Sequence, residues 1–292
     1  MEGVRHALEN SCNEARSRRR GVKYLTWCAI FVRRDTCAIR LPLKSDDSTM
    51  LETATPDPSN PIAFISFPTP LLRALVIHYR STMSASDFEN VLFNIREFFD
   101  KSTAQLLAAQ SGAGRAELLH HMMDHELKAS ASMEVSCRKG CGGCCHYEVE
   151  VTQDESELLA EIITNGFSVD LKRLETQATY ERQGPEWAKF WSAENRCVFL
   201  SAEGSCGIYE DRPSICRKHS VITPASSCTT LGEQVTPVQV PLAEILLSAA
   251  LSIPGAKHAS LSKMVLATLN KTSEHTSKTQ TPFLEANEIS GL

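Results

Sequence analysis

Cys137-Arg-Lys-Gly-Cys141-Gly-Gly-Cys144-Cys145 places four thiols in nine residues, with three glycines among them. Four further cysteines follow at Cys197, Cys206, Cys216 and Cys228, and none comes later. Thiolates are soft ligands and suit zinc or the iron of iron–sulfur clusters. Glycine tolerates left-handed backbone, so a short loop built with it can curl its side chains around an ion. The stretch therefore reads as the start of a thiolate metal site, and its loop-like composition excludes a regular helix or strand over residues 137–145.

Working outward, the flanks carry helical spacing. Upstream, Thr69 and Pro70 form a helix start. Leu71, Leu72, Leu75, Val76 and Tyr79 then recur on one face. A second helix is expected from Ser86, with Phe88, Val91, Leu92, Ile95 and Phe99 aligned, and a third from about Ala116 to Leu127. Downstream, Tyr147 to Thr152 alternates as a strand. Thr152 with Glu155 fits a capping box for the helix that follows. Residues 168–183 read as a more polar helix. Cys197 to Leu200 and Cys206 to Tyr209 read as a small hairpin around Ser201–Ser205. Asp211-Arg-Pro213 opens a turn carrying Cys216. Pro241 starts an apolar helix, Pro254-Gly255 breaks it, and Leu261 to Leu269 resumes. The tail from Asn270 is polar.

These elements imply a mainly α protein with a small, irregular α+β cysteine-rich metal-binding lobe. The organisation expected is a basic leader and linker at 1–61 and a helical segment at 62–130. A cysteine-cluster domain follows at 131–232, then C-terminal helices at 233–270 and a polar tail at 271–292. The lobe looks poor in apolar residues for its length, so metal should supply much of its folding energy.

The chain's 292 residues and 42% apolar content allow a real core. The net charge of −5 hides an asymmetry: residues 1–44 carry an excess of +6 and the rest −11. An acidic body argues against broad nucleic-acid binding. No apolar run reaches the ~20 residues that span a bilayer. The apolar run Tyr24–Val32 is followed at once by Arg33 and Arg34, unlike a secretion signal. The expectation is therefore the cytoplasm, with no membrane and no nucleic-acid partner, where reduced thiols are free to bind metal.

Cys144 and Cys145 are adjacent, and neighbouring side chains diverge in helix and strand alike. They suit two different ions, unless one of them turns back to a cluster edge. Eight thiolates make two four-ligand sites, or one four-iron cluster with a four-thiolate remainder. A disulfide scaffold is the competing reading, and a vicinal cysteine pair disfavours it. The spacing C-x3-C-x2-C also occurs in radical S-adenosylmethionine enzymes, but too little chain follows Cys145 for their barrel. His146 and His219 stand next to cysteines and are read as lying beside the ligands or at the surface. His121 and His125 are spaced for zinc but lack the glutamate of H-E-x-x-H, and read as a surface pair. Arg212 and Arg217 flank Cys216, where they offset thiolate charge or form surface salt bridges. Cys12, Cys28 and Cys37 stand at no ligand spacing.

On these residues the chain resembles the YkgJ-type cysteine-cluster family, described as zinc- or iron-chelating. The resemblance rests on Cys137-x3-Cys141-Gly-x-Cys144-Cys145, Cys197-x-Phe-Leu, Cys206-x-Ile-Tyr-x-x-Arg-Pro-x-x-Cys216-Arg and Cys228. It covers residues 135–230. Flagellin lysine methylases look similar in the cysteine cluster, and some family members are termed iron–sulfur oxidoreductases. The resemblance implies a metal-binding module holding an iron–sulfur cluster or zinc, with iron–sulfur slightly favoured and the eight cysteines as ligands. The alternative it implies is a metal-dependent enzyme, an iron–sulfur oxidoreductase or a protein-lysine methylase-like activity. Residues 1–130 match no named motif and leave room for a protein partner.

Overall fold

The Thr69 side chain accepts the Leu72 N–H, and Pro70 follows, so α1 (Pro70–Thr82) begins where the sequence places it. The computed structural model describes residues 69–129, 135–187, 193–229 and 233–279. The leader, with Cys12, Cys28 and Cys37, lies outside the described residues. Leu72, Leu75, Val76 and Tyr79 fall on one face of α1 and are buried. Each such side chain contributes about 1.5–3 kcal/mol of burial.

The second helix starts slightly earlier than its spacing suggests. Ser84 caps it, and α2 runs Ala85–Ala108. After a turn, α3 covers Ala113–Ala129. The capping box of Thr152 and Glu155 is present and starts α4 (Gln153–Thr164). The polar helix is shorter than expected, α5 at Leu171–Ala178. The Arg-Pro turn becomes α6 (Ser214–Lys218), which carries Cys216. Then come α7 (Pro241–Leu251) and α8 (Leu261–Thr279). α8 runs past Leu269, where its apolar spacing ends, because its buried anchors Leu261 and Val265 hold its first turns and a helix extends cheaply once nucleated.

The protein is mainly helical with one two-stranded sheet among the described residues. Strand β1 (Glu150–Thr152) pairs antiparallel with β2 (His258–Ser260), Val151 opposite Ala259. β2 has no signature in the sequence. Three residues between a Pro-Gly break and a helix are too few to show a period, and the partner strand creates it.

α7 is the centre of the first layer. Every residue from Leu242 to Ala250 is buried, the mark of a helix covered on all sides. It packs against α1, α2, α3 and α6. Thr69 donates to Ser248 at 2.8 Å, satisfying a hydroxyl that the apolar surroundings would otherwise strand. Lys218 of α6 pairs with the buried Glu244 of α7 at 2.7 Å.

A second layer forms where α8 packs on α4 and α5 and where α4 meets α3. Its core is Val151, Leu159, Leu174, Val198, Phe199, Ile208, Leu261 and Val265. This corrects the expectation that the cysteine lobe is apolar-poor throughout. The poverty is local: residues 135–147 contribute no buried hydrophobic side chain, and 209–229 contribute only Val221 and Cys228. The hairpin 197–208 contributes Val198, Phe199, Leu200 and Ile208. No helix among the described residues is long and apolar enough to cross a membrane.

Candidate metal centre

The first cysteine loop is a run of tight turns. The Cys141 N–H donates to the Arg138 carbonyl at 3.0 Å, and the Cys145 N–H donates to Gly142 at 3.0 Å. A 3-10 turn spans Gly143–His146. The glycines are there for close approach. A Cβ at Gly142 would overlap the backbone oxygen of Gly204, and one at Gly143 would stand 3.0 Å from the Cys228 Cβ. The turn opposite Gly142 itself uses Gly204 at φ +80°, a left-handed position that favours glycine. Gly142→Ala is thus expected to push the loop off the 201–205 turn, costing about 1–3 kcal/mol. A thermal melt of the metal-loaded variant that matches the native protein would contradict this.

The later cysteines arrive on separate elements that converge on this loop. The Cys197 N–H donates to the Cys145 carbonyl at 2.8 Å. Cys206 bridges Leu200 across the hairpin, so the hairpin exists but as an isolated bridge rather than two strands. Both Cys197 and Cys206 pack against the core around Phe199. Cys216 rides on α6. On the other side the Ser136 N–H donates to the Val221 carbonyl at 2.8 Å, and the Val221 N–H donates to the Cys137 sulfur at 3.3 Å. Cys228 sits in a 3-10 turn (Ala225–Thr229) packed on the Gly143–His146 turn. All eight thiols are free in the described residues.

Electrostatics show which thiols are neighbours. Burial pushes Cys197 up to about 11, against a backbone N–H from Phe199, with Cys206 and Cys144 adding like charge. Burial likewise raises Cys216 well above its ordinary value, with Cys144, Cys197 and Cys206 adding to it. Cys228 is raised by burial, then by Cys137, Cys141 and Cys144. Cys144 moves the other way. Its hydrogen bond with the Cys145 thiol, then a backbone N–H and Arg212, hold it below the ordinary thiol range, while the same bond raises Cys145. Every resolved thiol near Cys144 feels its charge.

The two arginines divide. Arg212 lies over the Tyr209 ring at 4.1 Å, and its charge favours the thiolates of Cys137, Cys144 and Cys206. Arg217 turns away and is buried. It pairs with Asp124 at 2.7 Å, meets His120 at 3.4 Å and donates to the Glu210 carbonyl. So Arg212 serves the thiols, whereas Arg217 is a buried tie to α3 rather than a surface salt bridge.

Among the histidines, His146 ends the 3-10 turn, half-buried, and desolvation holds it below its usual value. His219 caps α6 at the surface. His121 is exposed, and His125 pairs with its neighbour Glu126 at 2.9 Å. The residues that sequence reasoning passed over are His120 and Glu155's second role. His120 Nε2 stands 3.1 Å from a Glu155 carboxylate oxygen, and the same oxygen accepts the Ser214 N–H at 2.6 Å. His120 shares the buried face of α3 with Ala116, Leu119 and Met123, and that placement is the signal that could have found it.

As placed, no three His, Cys, Asp or Glu side chains among the described residues stand close enough to grip one ion. The donor chemistry nevertheless fits a soft metal. There are eight free thiols, backbone N–H groups on three sulfurs (from Val221, Phe199 and Ile208) and a guanidinium beside them. No curated protein and no solved structure matches the chain. Residues 136–231, the third of the chain that brings these thiols together, match the family model CxxCxxCC, described as "Putative zinc- or iron-chelating domain", the cysteine-cluster family that the sequence resembles.

Proposed function

We propose that the protein is a metal-binding module whose ligands are Cys137, Cys141, Cys144, Cys145, Cys197, Cys206, Cys216 and Cys228, with iron–sulfur ahead of zinc. The observation that supports this most is convergence. The hairpin of Cys197 and Cys206 and the turn of Cys228 meet the glycine loop, and Cys216 on α6 lies within charge range of Cys144. A cysteine side chain has one rotatable bond to its sulfur, so a change of staggered rotamer moves each thiol relative to its neighbours. The metal supplies a positive centre that the thiolates share. The chain's own part is to set their spacing, donate N–H groups to sulfur, and offset their charge with Arg212. The glycine-rich loop and N–H groups aimed at sulfur suit an iron–sulfur cluster, whose potential such bonds tune.

Among the described residues, the space beside Cys197 favours the binding-module reading. The cleft at Cys197, lined also by Tyr147, Trp187, Asn195 and Ser260, encloses room on the order of one water molecule. A substrate pocket is several hundred cubic ångströms. Metal analysis and a visible spectrum on the full chain purified without oxygen test the proposal. Iron with sulfide and a charge-transfer band supports the cluster. Zinc with no band replaces it with a structural zinc site. No metal at all overturns the module. Cys216→Ser is expected to lower the metal content, whereas Cys12→Ser, Cys28→Ser and Cys37→Ser keep it full. The opposite pattern would move the site to the leader.

A further inference from the structure

We propose, resting on the metal-binding reading above, that the eight thiols form two four-thiolate sites that meet at the Cys144–Cys145 pair. The outer site is Cys137, Cys141, Cys144 and Cys228, and exchanges its metal readily. The inner site is Cys145, Cys197, Cys206 and Cys216, and retains it.

The backbone draws the division. The outer cysteines belong to two segments that hold each other. Ser136 and Cys137 bond to Val221, and the Gly143 backbone lies against the Cys228 side chain. The inner cysteines belong to a different set of contacts. Cys145 receives the Cys197 N–H through its carbonyl, and the Leu200–Cys206 bridge closes the hairpin. Cys216 on α6 is fixed by the Ser214 N–H to Glu155. The charge neighbours place Cys228 beside Cys137, Cys141 and Cys144, and Cys145 beside Cys144, Cys197 and Cys216, while Cys144 also neighbours Cys197, Cys206 and Cys216, as a residue at the seam does. Cys144 stands at the seam, and adjacency to Cys145 is what a seam needs. The two thiols hydrogen-bond to each other, so the two sites meet there sulfur to sulfur.

The difference in retention follows from what anchors each set. Cys197 and Cys206 pack on the apolar core of Phe199 and Ile208, and Cys216 hangs from a buried carboxylate. The outer set is carried by turns with almost no buried apolar side chain, beside the exposed Arg138, Lys139 and Gly140. Segments held by few contacts open locally and often. Opening of the outer turns releases that metal without unfolding the inner site.

The test uses the full chain purified without oxygen, with metal counted per chain and its release to a colorimetric chelator followed in time. The native protein is expected to release metal in a fast and a slow phase. The double variant Cys137→Ser/Cys228→Ser removes two ligands of one site, so it should retain about half the metal and release it only in the slow phase. Loss of all metal by this variant, full retention, or a single release phase in the native protein would each overturn the division. A native protein with no metal fails the metal-binding reading itself, so the two failures are told apart. Near-native far-UV circular dichroism of the double variant is also expected. A collapsed spectrum would show the outer thiols holding the fold, against the proposal.

Discussion

Stripping metal from the anaerobically purified protein is expected to unfold residues 136–147 and 225–229 completely, loosen the hairpin 197–208, and leave the other helices standing. Hydrogen exchange on peptides before and after chelation measures this. Thiolate metal sites contribute about 10–16 kcal/mol in small zinc domains, more than a whole domain's net stability of ~5–15 kcal/mol. Where a segment has no other source of stability, its folding follows the metal. Residues 135–147 bury no hydrophobic side chain and 219–229 bury only Val221 and Cys228. The fixed points of 136–147 are a few turn hydrogen bonds and the Ser136–Val221 and Cys137–Val221 contacts, whereas 220–223 also pairs with 236–238. The hairpin keeps Val198, Phe199 and Ile208 in the second core, and α7 keeps its buried packing in the first. Protection of 136–147 that survives metal removal would sink the idea.

The second large effect lies at Glu155, which is 1% exposed. Its carboxylate accepts the Thr152 N–H at 2.9 Å, the Ser214 N–H at 2.6 Å and His120 Nε2 at 3.1 Å. One side chain thus caps α4, anchors α6 and pairs with α3. Glu155→Ala leaves these donors buried without an acceptor and is expected to cost ~3–5 kcal/mol, the range for breaking a buried charged pair. Glu155→Gln keeps an acceptor oxygen and should lie between. The pH dependence has a definite sign. Burial opposes the charge, but the His120 hydrogen bond and charge, with the Thr152 and Ser214 N–H groups, hold the carboxyl below its ordinary 4.5. A depressed carboxyl stabilises the fold above the unfolded-state value and loses that contribution as pH falls through the folded-state value. Denaturant midpoints measured from pH 6 downward should fall below about pH 4.5 in the native protein and fall less in Glu155→Gln. An alanine variant within about 1 kcal/mol of native would contradict the assigned role. Because Ser214 opens α6, the same variant should also weaken the hold on Cys216.

By itself the sequence determined the chemistry and most of the helices. Cysteine spacing, Thr69-Pro70, the Thr152/Glu155 box and the apolar faces of α1, α2 and α7 are local signals, written within a turn or two of the residues they govern. The adjacency of Cys144 and Cys145 left open whether they serve two ions or one, and the tertiary structure turns their thiols toward each other. What only the tertiary structure decided is pairing across distance. β2 exists because β1 lies beside it. Gly142 must be glycine because Gly204 approaches it, and Arg217 points to Asp124 and His120 rather than to the thiols. The apolar second core was illegible for the same reason. Its members come from a three-residue strand, a hairpin and three helices, each contributing one to three side chains, so no stretch of sequence shows the period that a single buried face would.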